Sequence, residues 1–218
     1  MSFRPEVLSY EALRVRAEAF LEEFHEERTF PVPIEEIVEF DFEIELIPID
    51  GILDELEVDA FLASDLKRIY VDAFVMDHRH RRLRFSLAHE LAHHELHRPL
   101  YESSRIASVR DWERVQASIT EEEYAWFEFQ ANSFAGLVLV PATELRTMFD
   151  SAMREARGAG LSESTLSNEA GKSYIARWLA EQFQVSEQVI ERRMEKDGLW
   201  TLPDPTSGLP PTRSTKKR

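Results

Sequence analysis

The feature that most constrains the fold is a helical pattern over residues 80–97, because apolar side chains cover most of its circumference. Leu83, Leu87 and Leu91 form one stripe, and further apolar residues lie almost opposite. A helix that is apolar nearly all round is buried on most sides, so we expect it to run through the centre of the molecule. The remaining sector holds histidine and glutamate, and Pro99 predicts that the helix ends just beyond it.

The segments before this helix predict a small sheet and hence an α+β fold. Ser9 can cap an N-terminal helix. Three strand candidates follow at residues 42–48, 58–63 and 68–71. The connection between the last two is short, so we expect them to pair in antiparallel fashion within an antiparallel or mixed sheet.

The polar sector of the central helix has the spacing His89-Glu90-Leu91-Ala92-His93. Residues i and i+4 lie on one helix face about 5 to 6 Å apart, which lets two imidazoles reach one Zn²⁺ at about 2 Å each. Glu90, beside the first ligand, can take the proton of water as it attacks a polarised carbonyl. The spacing therefore predicts zinc-dependent peptide hydrolysis, with His89 and His93 as ligands and Glu90 as general base.

Two further histidines of the same segment, His94 and His97, have a more ordinary explanation. Imidazoles near a helix C-terminus often cap carbonyls or are hydrogen-bonded in a core. His97 lies eight residues after His89, about 12 Å along the helix axis, which is too far for both to bind one metal directly. We therefore assign neither His94 nor His97 to the metal.

The third ligand has to be a nitrogen or oxygen donor from another segment, because the chain has no cysteine. Glu128 is the best candidate: it lies among aromatic residues on a helix that Thr120 opens with a capping box and that ends before Pro141. Burying a carboxylate there is costly unless a metal or a cation meets it. Asn132, one turn later, is a candidate for a supporting contact. On chemistry alone, a partly exposed surface acid at Glu128 remains an equal alternative.

Three motifs in this order resemble the ImmA/IrrE family of zinc metallopeptidases: the run from Arg84 to His94, the run Glu128-Phe-Gln-Ala-Asn-Ser-Phe-Ala135, and Leu137-Val-Leu-Val-Pro141. The likeness extends from the first helix to about Gly198. It implies a zincin-like fold, Zn²⁺ as the cofactor and Glu128 as the third ligand. It also implies that the substrate is a helix-turn-helix repressor, which family members cleave to release repressed genes.

Two short helices are predicted near the end of the chain, over residues 170–183 and 186–196, and together they resemble a helix-turn-helix. DNA binding through residues 170–197 is one hypothesis. However, residues 169–198 hold five basic and six acidic side chains, and the chain carries a net charge of −15. Affinity for nucleic acid depends largely on neutralising phosphates with Lys and Arg. We therefore prefer a packing or partner-docking unit and consider direct DNA binding unfavourable.

The sequence thus divides into four predicted segments. These are a zincin-like metallopeptidase domain at 1–157, a linker rich in Gly, Ser and Glu at 158–168, a helix-turn-helix-like helical unit at 169–200, and a flexible basic tail at 201–218.

The predicted activity is that of a cytoplasmic zinc endopeptidase. The sequence has no apolar run long enough to span a membrane and no leader-like start, and the absence of cysteine suits a reducing compartment. A non-enzymatic zinc-binding regulator that acts by binding a repressor is the alternative that the sequence leaves open. Neither the oligomeric state nor the activating signal follows from the sequence.

Overall fold

The computed structural model describes residues 6–103, 106 and 108–200, and the predicted α+β class is confirmed. Up to the central helix the elements are α1 (Tyr10–Phe24), α2 (Ile34–Glu36) with a π-helical turn (Ile37–Asp41), β1 (Glu45–Ile49), α3 (Ile52–Leu56), β2 (Ala60–Leu62), β3 (Arg68–Asp72), α4 (Ala73–His78) and α5 (His80–Ser103). The remaining elements are α6 (Val109–Ser118), α7 (Glu121–Leu139), α8 (Ala142–Gly158), α9 (Glu163–Leu166), α10 (Glu169–Phe183) and α11 (Glu187–Lys196).

The sheet has three strands in the order β1-β3-β2, and it is mixed. β2 and β3 pair in antiparallel fashion, as expected, with Ala60 opposite Val71. β1 pairs with β3 in parallel, with Glu45 opposite Arg68. β2 is therefore an edge strand, and this edge is the one that lies against α5.

Helix α5 runs through the centre of the molecule, packed between the sheet and α7. Leu87 and Leu91 are completely buried, as the sequence pattern predicted. The predicted end at Pro99 is wrong, because the helix continues to Ser103. Pro99 has no N–H for the helical hydrogen bond, but the last turn buries Tyr101, whose ring lies beside those of His93 and Phe127. Burial of this large ring offsets the lost hydrogen bond.

Helix α7 begins with the capping box that the sequence predicted. The Thr120 hydroxyl accepts from the backbone N–H of Glu123, and the Glu123 carboxylate accepts from the N–H of Thr120. These bonds satisfy two backbone donors that a helix N-terminus otherwise leaves unpaired. The helix then passes alongside α5 and α1 and ends before Pro141. Its start and its direction therefore determine where Glu128 lies.

The two C-terminal helices are present as α10 and α11, and Ser186 caps the second. Residues 158–168, predicted to be a linker, contain α9, in which Leu166 is buried. The predicted tail at 201–218 lies outside the described residues. Within the part of the chain that the structure describes, no helix is both long enough and apolar enough to cross a membrane.

Candidate metal centre

The i, i+4 spacing on α5 brings His89 and His93 together on the side that faces α7. Their Nε2 atoms lie 3.0 Å apart. Helix α5 is continuous over this stretch and buried on most of its other sides, which keeps the two residues at their helical spacing. The two imidazoles are therefore held with their Nε2 atoms directed at the same small volume.

Glu128 enters this volume from α7. Its Oε2 lies 3.2 Å from His89 Nε2, and its Oε1 lies 3.8 Å from His93 Nε2. One donor atom from each of the three residues lies within 4.8 Å of the other two. The Glu128 side chain is 24% exposed, which leaves the donor group open on one side. The structure thus brings together the three residues that the sequence singled out as ligands.

The donor set fits a divalent metal. Two imidazole nitrogens and one carboxylate, with a side left open, form the ligand set of many catalytic zinc sites. Nitrogen ligands at about 2.0 Å from a tetrahedral zinc would be roughly 3.3 Å apart, close to the 3.0 Å observed. Without a cation, at least one of the two Nε2 atoms would have to carry a proton, because they lie beside each other and beside the Glu128 carboxylate.

Glu90 lies beside these residues but faces the sheet. It is only 6% exposed, and its Oε2 accepts a hydrogen bond of 2.8 Å from the N–H of Leu62 in β2. Burial raises the pKa of Glu90 to about 8, and the Glu128 charge adds to this rise, whereas His89 and the Leu62 hydrogen bond oppose it. Glu90 is therefore a buried carboxyl with a proton affinity far above that of a surface glutamate.

His97 is a buried, hydrogen-bonded core histidine and not one of the three proposed ligands, but its hydrogen-bond partner is the proposed ligand His93. Its Nδ1 lies 3.0 Å from His93 Nδ1, and Phe127 stacks against both rings. Burial lowers the pKa of both imidazoles, that of His97 to about 3, and the His89 charge adds to the lowering. The signal was present in the sequence, because His93 and His97 are also four residues apart.

A cavity of about 260 Å³ opens beside the three proposed ligands and Glu90. Asn132 lines it. Burial alone would lower the pKa of His89, but the hydrogen bond to Glu128 and the charges of Glu128 and Glu90 raise it, and a hydrogen bond that the Asn132 side chain accepts adds to this rise. Asp59 also lines the cavity and holds Arg82 in an ion pair of 2.5 Å. Asp59 carried no signal in the sequence because it comes from a loop, whereas Arg82 lies seven residues before His89 and therefore on the same face of α5.

Two tyrosines lie near the metal centre, and a tyrosine hydroxyl there could stabilise a reaction oxyanion. Tyr124 lines the cavity, and burial raises its pKa to about 12, so it remains a hydrogen-bond donor at neutral pH. Tyr101 is 1% exposed and packs behind His93, away from the cavity lining. The structure therefore favours Tyr124 as the donor that a substrate could reach.

A helix with the HExxH spacing, a carboxylate from a neighbouring helix and a small mixed sheet against them define a zincin-like metallopeptidase fold. A family model described as Peptidase_M78, the IrrE N-terminal-like domain, matches residues 58–195. The chain belongs to this family, whose membership indicates a metallopeptidase. The resemblance found in the sequence motifs is thereby confirmed.

A comparison with solved structures gives a similar protein described as a Mycobacterium tuberculosis transcriptional regulator. The TM-score is 0.53 and the sequence identity is 20%, and the match covers 89% of this chain and 48% of that one. At this identity the similarity shows the fold alone. The present chain thus spans about half the length of the regulator. Among curated proteins, none matches the chain.

Proposed function

We propose that this protein is a zinc-dependent endopeptidase that acts in the cytoplasm and hydrolyses a peptide bond in a helix-turn-helix repressor, so relieving repression. The observation that carries the proposal is the convergence of His89, His93 and Glu128 on one volume, with the buried carboxyl of Glu90 beside the same cavity. A purely structural metal site would have no need for a nearby base or for an open cavity.

The roles of the individual residues follow from their positions. His89, His93 and Glu128 would hold Zn²⁺, which when bound polarises the scissile carbonyl and makes water a better nucleophile at neutral pH. The positive charge of a metal held by these ligands would lower the pKa of Glu90 from the value of about 8 that burial gives it. As a carboxylate, Glu90 would accept the proton of the attacking water and pass it to the leaving amine. The hydrogen bond from Leu62 fixes one Glu90 oxygen and leaves the other free to accept a proton.

The edge strand β2 favours a polypeptide substrate. Asp59 and Ala63 direct backbone groups towards β3, as the bonds Asp72 N–H to Asp59 O and Ala63 N–H to Arg68 O show. Because alternate residues of a strand point to opposite sides, the backbone groups of Ala60 and Leu62 point away from β3, and Ala60 lines the cavity. Glu90 already accepts from the N–H of Leu62, so an extended peptide would add to this edge through the backbone groups of Ala60, beside Glu90.

The repressor as substrate is supported by family membership and by charge. The resemblance of the sequence motifs to the ImmA/IrrE family implies cleavage of helix-turn-helix repressors, and the family model matches residues 58–195. DNA-binding proteins carry basic surfaces, and a chain with a net charge of −15 attracts such a partner over distance. The same charge disfavours the alternative of direct DNA binding through residues 170–197.

Comparing the wild type with Glu90→Gln tests the proposal. The amide preserves the size of the side chain but accepts no proton, so we expect unchanged zinc content and a loss of cleavage of about 10²- to 10⁴-fold. Each protein is co-expressed with the helix-turn-helix repressor encoded nearest to its gene, and repressor fragments are followed by mass spectrometry. His89→Ala is the companion control, which should lose both metal and cleavage.

The outcomes separate the competing functions. Equal cleavage by the wild type and Glu90→Gln would show that the proposed mechanism is wrong. If neither protein cuts but both bind the repressor, the protein is a non-enzymatic zinc-binding regulator.

A further inference from the structure

A groove continues from the metal-centre cavity to helix α11. A cavity of about 440 Å³ lies beneath α11, and a wider one of about 1100 Å³ lies between α11 and the start of α5. Phe85 lines both of these cavities as well as the metal-centre cavity, and Asn132 lines the metal-centre cavity and the one beneath α11. A chain bound at the metal centre can therefore extend along α11 without leaving the protein surface.

This α11 groove has a local charge opposite to that of the whole chain. The chain has 26 basic and 41 acidic residues. The linings of the two α11 cavities instead contain six Lys or Arg residues and three acids. The basic residues are Arg79, Arg81, Arg82, Arg192, Arg193 and Lys196, and the acids are Asp59, Glu187 and Glu195. Side chains of one sign in a cleft concentrate the electrostatic potential there.

Two of these cations are available to a ligand. Within the described part of the chain, Arg192 is exposed and has no ion-pair or hydrogen-bond partner, and it lines both α11 cavities. Lys196 has no carboxylate partner there either, and its ammonium lies over the rings of Tyr10 and Phe129, at 5.6 and 5.8 Å from their centroids. By contrast, three other cations of the groove form ion pairs: Arg81 with Glu181, Arg82 with Asp59 and Arg193 with Asp197. Arg192 and Lys196 are thus free charges at the rim.

The floor of the cavity beneath α11 is mainly apolar. Phe85, Phe129 and Val189 line it, and at Gly136 the aliphatic part of Arg193 lies 3.6 Å from where a Cβ would be. The volume of about 440 Å³ is sufficient for one large apolar side chain. Apolar surface surrounded by a few charged groups is the usual composition of a specificity pocket.

We propose that the α11 groove selects polypeptide substrates that present, close to the scissile bond, a large apolar side chain to the cavity beneath α11 and an acidic side chain to Arg192 and Lys196. This inference rests on the proposed endopeptidase function. It assigns α11 a role in choosing the substrate, so the second helix of the helix-turn-helix-like unit forms a wall of the cleft.

The charge pattern of α11 favours a single acidic side chain over a polyanion. Glu187, Glu191 and Glu195 alternate with the basic residues along the helix. A nucleic acid backbone brings a row of phosphates and would meet these carboxylates as well. One carboxylate between Arg192 and Lys196 avoids that repulsion.

The test is a selection from random 12-residue peptides displayed on phage, using the full-length, zinc-loaded Glu90→Gln protein so that bound peptides are not cut. We expect enrichment of peptides with Asp or Glu near Leu, Met or Phe. A selected peptide labelled with fluorescein should bind Arg192→Glu roughly five- to tenfold more weakly. Replacing its acidic residue by Lys should restore binding to Arg192→Glu. Arg154→Glu, an exposed charge reversal on α8 outside the groove, should bind like Glu90→Gln alone.

Several results would overturn the inference: selection without an acidic and apolar preference, no selected peptides, or equal loss of affinity in the Arg192 and Arg154 variants. Binding of a fluorescent DNA duplex that is lost on Arg192→Glu, with peptide binding unchanged, would assign the groove to nucleic acid instead. The proposed function is judged separately, by cleavage of the repressor. Cleavage of the repressor without selection of such peptides would contradict only the proposed preference of the groove. Selection of such peptides without any cleavage would contradict only the proposed peptidase activity.

Discussion

The contact between the Nδ1 atoms of His93 and His97 determines the proton positions of both rings. If Nε2 of His93 faces a cation, the ring carries its proton on Nδ1 and donates it to His97 Nδ1. His97 must then hold its own proton on Nε2, a buried atom for which the described residues provide no hydrogen-bond partner. Leaving such a donor unpaired costs about 1–3 kcal/mol. Packing alone therefore does not explain why a histidine occupies position 97, whereas orienting the His93 ring would.

We therefore predict that His97→Ala weakens zinc binding by about 10- to 100-fold, the usual effect of losing the group that orients a histidine ligand. His97→Asn, whose side-chain oxygen can accept from His93 Nδ1, should recover part of the loss. Competition with a chromophoric chelator measures the affinity. His94→Ala removes another buried histidine from the same helix, one that packs on Phe42, and should leave zinc affinity nearly unchanged. Equal losses in the two Ala variants would contradict the positioning role.

Glu128 gives a second prediction at the same scale. Glu128→Gln should release zinc during dialysis against a mild chelator, because it replaces a charged ligand by a neutral one. The matched control is Glu122→Gln, on the exposed first turn of the same helix. Glu123 is a poorer control, because its carboxylate closes the capping box of α7. Equal metal contents in the two variants would remove Glu128 from the site.

The sequence predicted these residues to different extents. His89, Glu90 and His93 are defined by spacing within one helix, so no knowledge of the fold was needed. Glu128 was left open on chemistry alone, because its role depends on how α7 crosses α5. Tyr124 and Asp59 belong to the cavity through tertiary packing, which no local pattern reports.

At the scale of elements, the long periodic helices were predictable and their ends less so. The capping box fixed the start of α7, whereas the proline rule failed for α5 because tertiary burial of Tyr101 outweighed it. The parallel pairing of β1 with β3 could not be inferred, since β1 reaches its partner across two intervening elements. Helix α3, with five residues, was missed because it is too short for a periodic signal.

The close approach of α10 to α9 leads to a prediction about stability. A Cβ at Gly171 would lie 2.3 Å from the carbonyl oxygen of Thr165 and 2.6 Å from the Cα of Leu166. These are backbone atoms, so rotation of a side chain cannot relieve the clash. Gly171→Ala should therefore lower the free energy of unfolding by about 2 kcal/mol or more. At Gly158, in the last turn of α8, a Cβ would meet nothing within 4 Å.

Gly158→Ala should therefore be neutral or stabilise the protein by up to about 1 kcal/mol. Urea denaturation followed by circular dichroism measures both variants. Similar midpoints for Gly171→Ala and the wild type would show that α9 and α10 are less tightly packed than described.

At the scale of the whole molecule, a buried cation joins the two ends of the described chain. Arg193 of α11 is 3% exposed, forms an ion pair of 2.9 Å with Asp197 and donates to the hydroxyl of Tyr10 in α1. Asp197 also accepts from Arg14 of α1 at 2.7 Å. Burial lowers the pKa of Arg193, although the charge of Asp197 opposes this change. The helix-turn-helix-like unit is thus fixed to the N-terminal helix.

Asp197→Asn should therefore destabilise the protein by about 3 kcal/mol, because it leaves a buried guanidinium without its counter-charge. Thermal and urea unfolding of the full chain provide the measurement. Asp150→Asn, an exposed carboxylate on α8, is the control and should change stability by less than about 0.5 kcal/mol. A loss of similar size in both variants would show that the network contributes nothing specific.

The two sides of α11 have separate tasks, and this separation has a consequence for how such proteins can diversify. Ile190 and Met194 face inward and anchor the helix, whereas Arg192 and Lys196 face the groove. Replacing only the outward residues would change which sequences are accepted while leaving the scaffold and the reaction chemistry intact. New target preferences could thus arise through a handful of surface substitutions, and α11 is where an engineer seeking to redirect the protein should begin.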